Sequence, residues 1–179
     1  METFNSYGKI PRLFKDCIIT EKLDGTNALI YVANNVVMAG GRHRWLTVDA
    51  DNFGFAHWVD ANKEDLLELG DGYHWGEWWG KGINRGYQTV GKQFSLFDAI
   101  RWNPSVLKPR CCRVVPILYQ GIFSTQICEE MLAYLTQMGS VAAPGFGNPE
   151  GIVVYHTAAR ARFKVTLRDD TKPKGIDDA

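Results

Sequence analysis

The chain has 179 residues, of which 45% are hydrophobic and 22% charged, values typical of one globular domain with an apolar core. No uninterrupted apolar run approaches the ~20 residues that a membrane-spanning helix needs. The N-terminus lacks the basic start and apolar stretch of a secretory signal. We therefore expect a cytoplasmic protein without a membrane partner.

Charge is balanced overall but unevenly distributed. Lysine plus arginine and aspartate plus glutamate each total 20, which gives a formal net charge of zero. Residues 49–71 carry seven acidic side chains against the single base Lys63, so this stretch holds −6 and the remainder +6. The asymmetry is compatible with a basic face that binds phosphates, and equally with an acidic solvated surface that has no partner.

Strand and helix patterns alternate along the chain. They predict strands at 18–22, 28–33 and 36–38, helices at 51–60 and 62–69, strands at 73–79, 93–99 and 114–118, a helix at 125–138, and strands at 152–155 and 161–165. Asn34-Asn35 is typical of a hairpin turn and Asn62 of a helix N-cap. Ser124 or Thr125 can cap the helix at 125–138, and Gly139 ends it. Because strands outnumber helices and short turns join them, we predict an α+β fold with antiparallel sheets over residues 1–167, followed by a polar tail at 168–179.

The cysteines give no sign of a metal site or a disulfide framework. Cys17, Cys111, Cys112 and Cys128 lack the CxxC spacing of such sites. Reduced thiols are the simpler interpretation, and a strained vicinal disulfide between Cys111 and Cys112 is the alternative.

Lys22 is the first candidate for chemistry. It lies at the end of an apolar strand, two residues before the Asp24-Gly25 turn. Free lysine has a pKa of about 10.4, so it attacks phosphorus well only where its surroundings disfavour the ammonium form. Gly25 would permit a tight turn and the close approach of a ligand. Taken alone, Lys-x-Asp-Gly arises by chance, and a surface lysine before a turn is the simpler interpretation.

Five further short motifs follow Lys22 in a fixed order. With the first, they are Glu21-Lys22-Leu23-Asp24-Gly25-Thr26-Asn27, Gly40-Gly41-Arg42, Trp75-Gly76-Glu77-Trp78, Phe94-Ser95-Leu96-Phe97, Pro149-Glu150-Gly151-Ile152-Val153 and Arg162-Phe163-Lys164. This series resembles that of the covalent nucleotidyltransferases, which comprise ATP-dependent DNA and RNA ligases and messenger-RNA capping enzymes. The likeness is greatest to the RNA ligase 2-like group, and it spans residues 20–165. It implies a ligase adenylation domain, with antiparallel sheets flanked by helices and the ATP site between them.

The resemblance implies a role for most of these residues. Lys22 would become covalently adenylated, and Arg42 would contact the nucleotide or the nucleic-acid end. Glu77 would bind the ribose, and Phe97 would stack on the adenine. Asn27, in the first motif, is counted with the ATP-binding residues.

Chemistry and the resemblance together assign the remaining positions. Glu150 would help to hold Mg²⁺ or Mn²⁺, since hard cations prefer oxygen ligands. Lys164 would bind the α-phosphate, with Arg162 or Arg42 near it, and these cations would also activate the lysine nucleophile. Val153 would cover the second face of the adenine.

The resemblance also covers Glu21 and the last motif. Glu21 would accept a hydrogen bond from the adenine amino group, which would favour ATP over GTP. The last motif of the family usually holds two lysines one residue apart. Here either Arg162 precedes Lys164 as the first member, or Lys164 is itself the first and Thr166 replaces the second.

These residues predict an ATP-dependent RNA ligase that forms a lysyl-AMP intermediate and joins a 5′-phosphate to a 3′-hydroxyl. The alternatives are an ATP-dependent DNA ligase and a non-catalytic protein that binds nucleotide or RNA. The expected partners are ATP and nucleic-acid ends, with RNA ahead of DNA. About 15 residues follow Lys164, fewer than a strand-clamping domain needs, so we expect a bare catalytic domain or a partner protein.

Overall fold

The structure, a computed structural model, describes residues 3–168. Its strands are β1 (Asp16–Lys22), β2 (Thr26–Ala33), β3 (Val36–Gly41), β4 (Trp45–Leu46), β5 (Gly72–Gly80), β6 (Lys92–Leu96), β7 (Cys112–Val114), β8 (Ile117–Ile122), β9 (Gly151–His156) and β10 (Ala161–Thr166). Its α-helices are α1 (Phe55–Ala61), α2 (Lys63–Leu66) and α3 (Thr125–Met138). A 3-10 turn at Leu67–Leu69 extends α2. All but the first residue of the predicted tail lies outside the described residues.

The strands form two sheets. One has four strands in the order β10-β9-β1-β8, and the other has six in the order β4-β3-β2-β5-β6-β7. Described neighbours pair antiparallel, apart from β6 and β7, which run parallel. The predicted α+β class with antiparallel sheets is confirmed, with this one parallel pair as the exception.

Each sheet buries one face against helices. Ile30 of β2 packs with Phe55 of α1 and Leu66 of α2 in one apolar cluster. Ile19 of β1 and Leu135 of α3 belong to a separate cluster behind the four-stranded sheet. Because side chains alternate along a strand, the opposite faces of both sheets remain for the site described below. No helix within residues 3–168 has the length and apolarity to cross a membrane.

Local signals located several boundaries correctly. Asn34 and Asn35 have φ of 50° and 62°, as a two-residue hairpin turn requires. The Ser124 hydroxyl accepts a hydrogen bond from Ile127 N at 3.1 Å and caps α3, and Gly139 ends that helix. All four cysteines are free thiols.

The predicted strand at 114–118 is wrong as a single strand. The chain leaves the six-stranded sheet after Val114 and enters the four-stranded sheet at Ile117. Pro116 lies between them, and because proline has no backbone N–H it cannot continue a strand ladder. The predicted strand at 93–99 likewise ends at Leu96.

The predicted start of the first helix is also wrong, whereas Asn62 does occupy the predicted N-cap position of the second. Phe53 and Gly54 adopt left-handed conformations, so α1 begins at Phe55 rather than at residue 51. The Asn62 side chain makes no capping bond. Instead it donates to the Trp58 carbonyl at 2.7 Å.

Candidate active site

A cavity of about 860 Å³ lies between the open faces of the two sheets. The four-stranded sheet contributes Thr20, Lys22, Val153, Tyr155, Arg162 and Lys164 to its wall. The six-stranded sheet and the loops at its edge contribute Thr26, Asn27, Arg42, Glu77, Phe97 and Arg101. The fold thus gathers candidates from both ends of the chain around one space, the Lys22 pocket.

Lys22 pairs with Glu150 inside this pocket. Its Nζ donates to Glu150 Oε2 at 2.6 Å, across 128 residues of sequence. Backbone pairing explains the meeting, since Lys22 ends β1 opposite Gly151, the residue after Glu150. The sequence predicted cations around the lysine. The contact that holds it is instead a buried carboxylate, with a side chain only 3% exposed.

Glu77 supplies a second buried carboxylate, on the other wall. It lies on β5 opposite Asn27 of β2, and its Oε1 accepts a hydrogen bond from Gly25 N at 2.9 Å. Burial raises the pKa of Glu77 to about 7, although the nearby Lys22 charge and the Gly25 N–H oppose the rise. A buried carboxylate with one protein donor retains acceptor capacity for a ligand hydroxyl.

Glu21 takes a different role from the expected reading of adenine. On β1 it points away from the face that carries Lys22, because neighbouring side chains alternate. Its carboxylate is buried and accepts hydrogen bonds from Ser140 Oγ at 2.6 Å and from the amides of Val141 and Ala142 at 2.9 Å. The carboxylate therefore clamps the strand to the loop after α3. Glu21 still borders the pocket, so it stays a candidate contact through its backbone.

Contacts with neighbouring residues fix the Asp24-Gly25 turn. Asp24 accepts hydrogen bonds from Arg85 Nε and Asn84 Nδ2, both at 2.9 Å, and its amide donates to the Tyr87 hydroxyl. A Cβ on Gly25 would lie 2.3 Å from the Trp78 carbonyl oxygen. Packing against β5 therefore requires glycine here, and Gly25 also borders the pocket, where the close approach of a ligand stays a prediction.

Phe97 and Val153 stand on opposite walls of the pocket. Phe97 follows β6 of the six-stranded sheet, and Val153 lies on β9 of the four-stranded sheet. Phe94, two strand positions before the end of β6, is fully buried in the core. A flat ring held between Phe97 and Val153 would be covered on both faces.

Arg162 and Lys164 share the exposed face of β10. Both line the pocket, whereas Thr166 does not. Arg162 also stacks on Tyr155, with its guanidinium carbon 4.9 Å from the ring centroid. This placement favours Arg162 and Lys164 as the two members of the last motif over the alternative of Lys164 and Thr166.

The donor set suits a divalent cation shared with phosphates. Residues 3–168 contain no group of three or more His, Cys, Asp or Glu that could hold a metal on its own. Mg²⁺ commonly takes one or two carboxylates and completes its shell with phosphate oxygens and water. Glu150 fits this pattern as a buried carboxylate held beside the pocket by its contact with Lys22.

Sequence reasoning missed the residues that hold the first motif in place. Ser140 and the two amides that follow it bind Glu21, the residue before Lys22. Asn84 and Arg85 bind Asp24, two residues after Lys22. These partners are 60 to 121 positions away. No local pattern marks these partners. The one signal is Arg85, a charged residue in a loop bounded by glycines.

Solved structures of similar fold define the class of the domain. An apo lysine-to-alanine mutant of Naegleria gruberi RNA ligase superposes with a TM-score of 0.62 at 21% identity, covering 93% of this chain and 57% of that one. A glutamate-to-alanine mutant with ATP and Mn has a TM-score of 0.60 at 22% identity, with coverages of 94% and 58%. A lysine-to-methionine mutant with AMP and Mn has a TM-score of 0.59 at 20% identity, with coverages of 86% and 50%. The chain shares the fold of these RNA ligase structures, and it spans about half the length of the proteins in them.

The sequence itself gives the family. It matches the RNA ligase family over residues 15–166, a stretch that contains all six motifs, and the chain belongs to that family. No curated protein sequence matches it significantly.

Proposed function

We propose that the chain is an ATP-dependent RNA ligase domain with Lys22 as the residue that carries AMP. The pairing of Lys22 Nζ with the buried Glu150 carboxylate at 2.6 Å is the observation that carries this proposal. This ion pair holds the Lys22 amine in one direction inside a pocket large enough for a nucleotide. Family membership and the Naegleria gruberi RNA ligase structures with ATP and Mn support ATP as the substrate.

The first step forms a bond between Lys22 Nζ and the α-phosphorus of ATP and breaks the bond from that phosphorus to pyrophosphate. Nζ loses its proton to the Glu150 carboxylate that it contacts. Lys164 and Arg162 on β10 neutralise charge on the phosphate oxygens, which is the main requirement of this chemistry. A divalent cation, with Glu150 among its ligands, would add positive charge at the same oxygens.

The remaining pocket residues bind and orient the nucleotide. Phe97 and Val153 cover the two faces of the adenine, and Glu77 accepts a hydrogen bond from the ribose. Asn27 and Arg42 complete the wall beside Glu77. Holding the nucleotide at several points places the α-phosphorus in line with Nζ, and such positioning contributes much of the rate of a transfer reaction.

The later steps move AMP to a strand end. A 5′-phosphate attacks the lysyl-AMP phosphorus and releases Lys22, and a 3′-hydroxyl then displaces AMP from the activated end. The RNA ligase family supports RNA as the strand that is joined. A partner protein or further domain would supply additional contacts to that strand.

Intact-protein mass spectrometry tests the first step. The purified chain, incubated with ATP and Mg²⁺ or Mn²⁺, should gain the mass of one AMP. Lys22→Ala should gain none, whereas Lys81→Ala, an exposed lysine outside the pocket, should gain it as the wild type does. A wild-type protein that binds ATP but stays unmodified with both metals would instead indicate a non-catalytic nucleotide-binding protein.

A further inference from the structure

A second cavity of about 420 Å³ opens directly beside the Lys22 pocket. The two share Asn27, Arg42, Phe97, Asp98, Arg101 and Arg162 in their walls. A molecule in the second cavity would therefore lie next to the nucleotide in the first. The proposed adenylation uses none of the aromatic residues that line only this second cavity.

Four aromatic side chains extend the pocket face of the six-stranded sheet. Glu77 points into the Lys22 pocket, and side chains two apart on a strand share a face, so Trp75 and Tyr73 continue that face along β5. Tyr31 pairs with Tyr73 across β2 and β5, with ring centroids 4.7 Å apart, and Trp45 lies 5.8 Å from Tyr31. We call Trp75, Tyr73, Tyr31 and Trp45 the aromatic row.

The aromatic row is open to solvent. Tyr73 is 60% exposed, Trp45 45% and Trp75 39%, while the opposite face of the same sheet packs against α1 and α2. A continuous surface of large exposed apolar side chains is typical of a binding site. Their flat faces are well suited to stacking on flat partners.

The charges around the second cavity fit a polyanion. Arg42, Arg101 and Arg162 line it, and Asp98 is the one acidic residue among its described lining residues. The Asp98 carboxylate already accepts a hydrogen bond from Arg101 N at 3.0 Å. Three of the seven acidic residues of the stretch 49–71 lie on α1 and α2, which pack behind the sheet, on the face opposite the aromatic row.

We propose that the second cavity and the aromatic row bind unpaired nucleotides of the RNA strand, next to the end that is joined. Bases would stack on Trp75 and Tyr73, and the three arginines would pair with the phosphates, the usual combination in single-strand recognition. A duplex hides its base faces and would leave the rings unused. The identity of the joined strand rests on the proposed function, whereas the binding site does not.

Fluorescence anisotropy with a labelled single-stranded RNA of about 12 nucleotides tests this site. Tyr73→Ala and Trp75→Ala should each weaken binding about five- to 150-fold, the range expected for loss of one stacked base. Tyr73→Phe, which keeps the ring, should bind as the wild type does. Tyr134→Ala is the matched control, since this exposed tyrosine lies on α3, outside both cavities.

The salt dependence of wild-type binding gives a second measurement that needs no variant. Three arginine–phosphate contacts predict a slope of about −2 for log affinity against log salt concentration. A slope near zero would overturn the proposal. So would wild-type affinity in both folded alanine variants, equal loss in Tyr134→Ala, or equal affinity for a blunt RNA duplex. A dimer that dissociates in Tyr73→Ala would overturn it too, because the aromatic row would then be an interface between copies of the chain.

Self-adenylation of the wild type, measured in parallel, separates the two proposals. RNA binding that depends on the rings without any AMP adduct would contradict the proposed function and support this site. An AMP adduct with RNA binding that ignores the rings would do the reverse.

Discussion

The buried position of Glu77 lowers the stability of the protein at neutral and higher pH. Burial raises its pKa to about 7, while its ordinary value is near 4.5. The folded protein therefore holds a proton on Glu77 more tightly than the unfolded chain does. As pH rises from about 4.5 through 7, the unfolded chain loses this proton before the folded protein does. The free energy of unfolding therefore falls by the free energy that corresponds to the difference between the two pKa values.

The first prediction is that Glu77→Gln stabilises the protein above pH 7. The amide carries no charge and can still accept the hydrogen bond from Gly25 N. The variant should exceed the wild type by up to about 3 kcal/mol at pH 8 and by almost nothing at pH 4. Urea unfolding at both pH values measures this. A difference that stays constant with pH would contradict the assignment of the shift to Glu77. The same variant should bind ATP more weakly, since a charged acceptor for the ribose is lost.

The second prediction concerns Glu150. Glu150→Gln removes both the ion pair with Lys22 and the group that takes its proton. The rate of self-adenylation should fall by about 100-fold or more, the usual contribution of a positioned proton acceptor. Glu130→Gln, an exposed position on α3, is the control. A rate within twofold of the wild type in a single-turnover assay would show that Glu150 does not act on the lysine.

At the scale of elements, the turn between β1 and β2 depends on a distant loop. The Asp24–Arg85 ion pair is largely buried, with side chains 14% and 22% exposed, whereas Asp60 and Lys63 form a pair that is more than half exposed. Arg85→Ala leaves the Asp24 carboxylate short of a donor in partly buried surroundings. We expect a loss of about 1–2 kcal/mol in unfolding free energy.

Lys63→Ala should cost less than about 0.5 kcal/mol, because exposed pairs are weak. Thermal or urea unfolding of the two variants gives the comparison directly. Since Asp24 lies two residues after Lys22, the proposed nucleophile, Arg85→Ala should also slow self-adenylation. Equal stability of the two variants would mean that the loop does not hold the turn.

The same elements show what could be read from the sequence. Helix α3 was predicted from 125 to 138, because Ser124 and Gly139 mark its ends within a single local pattern. The division of 114–118 between two sheets was not predicted. A strand pattern shows that a run is apolar, but it does not show which sheet each part joins. Pro116 marks the break only once the two sheets are known.

At the scale of the whole molecule, residue types were more predictable than their partners. Lys22, Glu77, Glu150 and Lys164 could be chosen from chemistry and motif order, and all four border or contact one pocket. The hydrogen bonds of Glu21 could not be predicted, because its donors at Ser140 to Ala142 come from a loop more than 100 positions away. Long-range pairing of this kind is fixed by topology, which local patterns do not encode.

The choice of strand is also a property of the whole molecule. If the chain seals ends by the proposed route, RNA ends should be joined at least about tenfold faster than DNA ends of the same sequence, a difference of about 1.4 kcal/mol. Denaturing gels of matched substrates measure both rates. Equal sealing of DNA would favour a DNA ligase.

The central claim is that Lys22 carries AMP, and peptide mapping of the ATP-treated protein tests it most directly. Proteolysis and tandem mass spectrometry should place the AMP on Lys22, within Glu21-Lys22-Leu23-Asp24-Gly25. AMP located on Lys164 or on any other residue, with Lys22 unmodified, would contradict the account.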